Sequence, residues 1–197
     1  DEAPMLYINE KVGTQNGEEL DIAVDPLEGT NFTAKNLPNA LSVLAVCKKG
    51  NLLNAPDIYM EKIAIGASLP KNLIDLDFGV KKNIELLSQA KNTTPEKLTA
   101  CVLKRPRHNL IIDDLKSLNV KIKFITDGDV SGVISVSNPK SNIDIYLGTG
   151  GAPEGADRHA NCRGEAGPDE APVADPQVAQ RGAARRRRRR EALHAGP

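Results

Sequence analysis

The chain has 197 residues with 26 basic and 26 acidic side chains, so its formal charge is zero and it has no global pull toward nucleic acid or a membrane surface. Three cysteines, Cys47, Cys101 and Cys162, show neither paired nor metal-ligand spacing, which fits a reducing cytoplasm better than a disulfide framework. No apolar run approaches the roughly 20 residues of a membrane span, and the acidic, proline-interrupted start "DEAPMLYINE" does not read as a signal peptide. The first residue is not Met, so the chain is expected to begin inside a longer reading frame.

Two compositions are joined near residue 155. Residues 1 to 155 are rich in Lys, Asn, Ile, Leu and Val, and contain only two arginines, Arg105 and Arg107. From Ala156 onward Lys, Ile, Phe and Tyr are missing, Leu193 is the only leucine, and the run Arg185 to Arg190 stands near the end. Such a segment buries too little apolar surface to offset the entropy of ordering. Residues 156 to 197 are therefore expected to be disordered and to contribute nothing to the fold. A basic run can bind nucleic acid, but the abrupt change of composition reads rather as a foreign or out-of-frame end.

In chain order, "MLYINEKVG" and "LDIAVD" read as short strands separated by the turn signal "TQNGEE". "ALSVLAVCKKGNLLNAPDIYMEKIAIG" reads as two or three strands, with "KKGN" (48 to 51) as a hairpin turn. Between Phe78 and Lys91 the period changes, and Val80, Ile84 and Leu87 fall on one helical face. "LTACVLK" follows as a strand, "HNLIIDDLKSLN" as a helix, "VKIKFIT" as an alternating strand and "IDIYLG" as a last strand. The second half thus alternates strand and helix, which predicts crossover connections. The fold class expected is α/β, a layered sandwich with a mixed sheet.

Four motifs carry chemistry. In "DIAVDPLEGTNFT" a strand delivers Asp25, Glu28 and the Thr30 hydroxyl to one place, where the two carboxylates repel unless something positive lies between them. Carboxylate oxygens are the donors that Mg²⁺ and Mn²⁺ prefer. The alternative is an acidic strand-end turn with Glu28 opening a capped helix. In "LKRPRHN", Arg105 and Arg107 flank Pro106, and the planar guanidinium suits bidentate phosphate binding. The alternative there is a solvated basic loop, and His108 reads as a helix-start residue rather than a catalyst. "ITDGDVSG" ends a strand in Asp127-Gly128-Asp129, acceptors placed where α/β sheets bind ligands. The competing reading is an Asp N-cap. "YLGTGGAPEG" reads as a strand, a glycine-rich turn and Glu154 at a helix start, an anion or metal cradle.

"DPLEGT" is similar to the Asp-Pro-(Ile/Leu)-(Asp/Glu)-Gly-Thr signature of the metal-dependent, lithium-sensitive phosphatases. Together with "DEAPMLYI", "NAPDIYMEKIAIG", "RPRH", "DGDVSG" and "GGAPEG", it makes residues 1 to 155 resemble the bacterial class II fructose-1,6-bisphosphatases. The resemblance implies a cytoplasmic, homo-oligomeric enzyme of gluconeogenesis that hydrolyses the 1-phosphate of fructose 1,6-bisphosphate with Mn²⁺ or Mg²⁺. It implies Asp25, Glu28 and Glu154 as metal ligands, and Asp25, Glu28 and Thr30 as catalytic residues. It further implies substrate contacts by Glu28, Gly29, Thr30, Tyr59, Arg105, Pro106, Arg107, Asp127, Gly128, Asp129 and Gly151. In that family more acidic ligands precede "DEAPM" and an apolar helix follows "GGAPEG", so this chain by itself is expected to show little turnover. A related sugar- or inositol-phosphate phosphatase, including a sedoheptulose-bisphosphatase, and a non-catalytic fragment are the alternatives.

Overall fold

The computed structural model describes residues 9–51, 59–151 and 177–182. Its centre is a five-stranded mixed sheet in the order β5-β4-β6-β3-β7. The strands are β3 (Tyr59–Ile65), β4 (Thr99–Leu103), β5 (Lys121–Ile125), β6 (Ile145–Gly151) and β7 (Gln177–Gly182). β4 runs parallel to both β5 and β6, while β3 is antiparallel to β6 and to β7. The parallel part is where helical crossovers were expected, and α2 (Gly79–Ala90), α3 (Asn109–Ser117) and α4 (Asp129–Ser137) accompany it.

Alternation along the strands sorts the core into two layers. Ile63, Ile65, Ala100, Val102, Ile145 and Leu147 face Ile84 and Leu87 of α2 and Leu115 of α3. Ala64, Cys101 and Tyr146, the residues between, face Val133 and Val136 of α4. The result is an α/β fold with helices on both faces of the sheet. Gly132 allows α4 to approach β6 closely, because a Cβ there would stand 2.9 Å from the Tyr146 ring. Cys101 lies inside this layer, and burial pushes its thiol up to about 12, so it is a packing residue rather than a nucleophile.

β1 (Leu20–Glu28) and β2 (Leu41–Lys48) form a separate antiparallel pair, joined through the short α1 (Thr30–Ala34). One face of this ribbon exposes Ile22, Val24, Leu44 and Val46. Among the described residues no helix is long and apolar enough to cross a membrane.

Several expectations need correction. Of "MLYINEKVG", residues 5–8 lie outside the described residues, and Asn9 to Gly13 do not form a strand. The "KKGN" turn closes, with the Asn51 N–H donating to Lys48 O at 3.1 Å, but it joins no hairpin, because β2 pairs with β1 and β3 belongs to the other sheet. The glycines of "GTGG" lie inside β6 rather than in a turn. At Gly148 a Cβ would stand 2.7 Å from the Tyr146 hydroxyl, so the missing side chain makes room for the tyrosine. Finally, Gln177–Gly182 forms β7 along β3, from Ile65↔Gln177 to Met60↔Gly182, so the tail is not wholly outside the fold. An open strand edge offers unpaired backbone groups, and a segment without large apolar side chains can satisfy them. The rest of the segment 156 to 197 lies outside the described residues.

Candidate functional site

The sequence places its acidic motifs at strand ends, and the fold brings two of them together. β1 does not stop at Asp25 but continues through Pro26 and Leu27 to Glu28, with a register irregularity between Asp25 and Glu28. Asp25 Oδ1 accepts the Leu27 N–H at 3.0 Å and the Ser42 hydroxyl donates to Pro26 O at 2.8 Å, which fixes the irregular stretch. Gly29 then turns the chain in the left-handed region (φ 80°, ψ 48°) and α1 begins at the exposed Thr30. On the other side β5 ends, Gly128 adopts φ 71°, and α4 begins at Asp129.

These two strand-to-helix turns exchange carboxylates. Glu28 Oε1, from before α1, accepts the Val130 N–H in the first turn of α4 at 2.9 Å. Asp127 Oδ2, from before α4, accepts the Asn31 N–H in the first turn of α1 at 2.9 Å. Each carboxylate thus satisfies an amide that has no partner within its own helix. Phe32 fills the space between the turns. A Cβ on Gly29 would stand 2.7 Å from its Cδ2, and one on Gly128 3.1 Å from its Cε2. The Asp N-cap considered from sequence is therefore replaced: Gly128 holds the cap position, and Asp127 serves the other helix.

Glu28 is 5 % exposed. Burial pushes its carboxyl above the ordinary range; the Val130 N–H opposes the rise, while the negative charges of Asp129, Asp25 and Asp127 add to it. Two cations answer part of this charge. Lys62 Nζ meets Asp129 Oδ2 at 2.6 Å, and Arg105 meets Asp127 Oδ1 at 3.6 Å. Among the described residues, four interacting carboxylates against these two cations leave a local excess of negative charge.

A second group lies at the ends of β6 and β3. Tyr59 pairs with Gly151, and the guanidinium of Arg107 stands 5.0 Å from the centroid of the Tyr59 ring. Arg107 Nε donates to Thr149 O at 2.8 Å. The two arginines diverge from Pro106: Arg105 turns to the Asp127 loop, Arg107 to Tyr59 and β6. His108 is fully buried and makes this possible. Its Nε2 accepts the Thr149 N–H at 2.9 Å and its Nδ1 lies 2.6 Å from Leu103 O, so the ring bolts the end of β4 to β6. That agrees with a structural rather than catalytic His108.

The oxygen donors present suit a hard divalent cation, and Asp25 and Glu28 bring two carboxylates to one stretch of backbone. Among the described residues no group of three or more His, Cys, Asp or Glu side chains is close enough to hold a metal ion. Glu154, the third ligand inferred from sequence, lies outside the described residues. Lys62 and Phe32 were missed. A lysine on the same strand face as Met60 and Ala64 was a visible signal for the first; nothing local marked the second.

Residues 1–167 match the family model for "Bacterial fructose-1,6-bisphosphatase, glpX-encoded". The chain is 48% identical over 155 residues to a fructose-1,6-bisphosphatase 1 class 2 from Escherichia coli, covering 79% of this chain and 46% of that protein. A fructose-1,6-bisphosphatase class 2 from Haemophilus influenzae is 43% identical over 163 residues, covering 83% and 49% respectively. The chain thus spans about half the length of the curated relatives it matches. By its matched residues and its α/β architecture, the chain belongs to the family of bacterial fructose-1,6-bisphosphatases.

Proposed function

We propose that residues 1 to 155 form part of a divalent-metal-dependent phosphatase that hydrolyses the 1-phosphate of fructose 1,6-bisphosphate, yielding fructose 6-phosphate and inorganic phosphate. The observation that carries this reading is the excess of negative charge around buried Glu28, set beside the Arg105 guanidinium, a group suited to phosphate. In this reading Asp25 and Glu28, with Glu154, hold Mn²⁺ or Mg²⁺. The bound ion supplies Lewis-acid polarisation of the phosphoryl group and acidifies a water molecule. Thr30, exposed at the start of α1, would offer its hydroxyl to orient such a water.

Glu28 would hold the ion with its carboxylate while Oε1 also accepts the Val130 N–H. Asp127 and Asp129 accept sugar hydroxyls, while Arg105 and Arg107 grip the distal phosphate and take no part in bond breaking. Tyr59 and Gly151 flank that grip, and Gly29, Pro106 and Gly128 shape the backbone that approaches the substrate.

The test is a full-length chimera in which residues 1–155 of this chain replace the matching 155 residues of the Escherichia coli relative. Mn²⁺- or Mg²⁺-dependent phosphate release that disappears in Asp25→Ala supports the reading. A folded chimera without phosphatase activity, or one indifferent to Asp25→Ala, contradicts it.

A further inference from the structure

We infer that Lys62 is a positioning residue for ligand binding: it anchors one oxygen of Asp129 inside the protein so that the other stands ready for a hydroxyl donor of the sugar. The inference rests on the proposed function and adds to it a residue that touches neither metal nor substrate.

Lys62 lies in the middle of β3 on the α4 face, between Met60 and Ala64, where a neighbouring strand would favour an apolar side chain. Its side chain is 3% exposed and that of Asp129 is 4% exposed, with Nζ to Oδ2 at 2.6 Å. A pair this deep loses its hydration on both sides, and an apolar pair of similar volume would serve stability at least as well. The orientation of Asp129 is what the lysine supplies beyond stability. Asp129 Oδ1 is also buried, and among the described residues it has no hydrogen-bond partner. A carboxylate oxygen accepts only, and buried acceptors are ordinarily paired, so this atom calls for a donor that the described residues do not supply. A sugar hydroxyl supplies that donor; a phosphate oxygen does not.

The anchor reaches further through the backbone. Asp129 is the first residue of α4, and the next amide, Val130 N–H, is the one that Glu28 Oε1 accepts. Lys62 therefore holds from below the helix start to which the buried glutamate is bound. It also offsets one of the negative charges acting on Glu28.

The experiment compares the full 197-residue chain with Lys62→Met and with Lys62→Met/Asp129→Asn. Calorimetric titration with fructose 1,6-bisphosphate in excess Mg²⁺ is read beside thermal unfolding. Lys62→Met strands a buried carboxylate, so Tm should fall and sugar binding should weaken about tenfold to a hundredfold, the range for a charge-assisted hydrogen bond. The double variant removes the stranded charge, so Tm should recover while binding stays weak. Binding that recovers together with Tm would show that Lys62 acts on stability alone, and unchanged affinity in folded Lys62→Met would overturn the inference by itself. If Lys62→Met fails to fold, the double variant is compared with Asp129→Asn alone: equal affinity supports action through Asp129, and weaker affinity of the double variant overturns it. An unsubstituted chain that binds no fructose 1,6-bisphosphate would overturn the functional reading and this inference with it.

Discussion

Gly29→Ala tests the junction between the two carboxylate turns, and its cost can be worked from the structure. Gly29 sits at φ 80°, so alanine there takes a left-handed conformation at about 1–2 kcal/mol. Its Cβ would also stand 2.7 Å from Phe32 Cδ2, and forcing the buried ring aside adds about 1–3 kcal/mol of overpacking. The sum is about 2–5 kcal/mol. Gly50→Ala is the internal control: φ is 84°, but nothing lies within 4 Å of its Cβ, so only the conformational part applies. Urea unfolding followed by far-UV circular dichroism should therefore show a larger loss for Gly29→Ala than for Gly50→Ala. Displacing Phe32 also shifts Glu28 and Asn31, whose bonds tie the β1–α1 turn to the β5–α4 turn, so Mn²⁺ affinity should fall in Gly29→Ala alone. Equal destabilisation of the two variants, with equal Mn²⁺ affinity, would refute the role given to Phe32.

In metal-free protein, burial raises the Glu28 carboxyl above its ordinary 4.5, so its stabilising contribution is complete below that pH and is lost as pH rises through the elevated folded-state value. Glu28→Gln should then be more stable than the parent in EDTA at neutral pH, with the difference shrinking on acidification below 4.5; a pH-independent difference would count against the burial argument. Arg105→Ala should weaken binding of fructose 1,6-bisphosphate by ~1.5–3 kcal/mol, roughly tenfold to over a hundredfold, and titration calorimetry showing no change would remove it from the phosphate grip. His108→Ala leaves the buried ends of β4 and β6 without a bridging ring, so a stability loss of about 2–4 kcal/mol is expected from unpaired backbone groups, and a loss under 1 kcal/mol in urea would show that water replaces the imidazole.

Local pattern carried much of the fold. The period change at Phe78 announced α2, and alternation in "VKIKFIT" announced β5, because a single buried face imposes its period on the sequence. Where the outcome depended on distant partners, sequence reading went astray. Nothing near Lys48 tells that β2 turns back on β1 while β3 enters the other sheet, and nothing near Gly148 shows that Tyr146 needs its space. The same division holds for the site. Asp25, Glu28, Asp127 and Asp129 were legible as acidic groups at strand ends, but the exchange of caps between Glu28 and Asp127 spans about a hundred residues. Lys62 was visible as a charge on the strand face that carries Met60 and Ala64, yet its partner lies at the start of α4, 67 positions away.

The central claim is that the Asp25–Thr30 turn holds a divalent cation against the 1-phosphate of the sugar. Phosphorus-31 relaxation of fructose 1,6-bisphosphate in the presence of Mn²⁺ and the 197-residue chain measures this directly, because the two phosphates give separate signals. The account predicts that the chain enhances relaxation of the 1-phosphate more than that of the 6-phosphate, and that Glu28→Ala abolishes the difference. Equal enhancement of the two phosphates, or a difference that survives in Glu28→Ala, would contradict it.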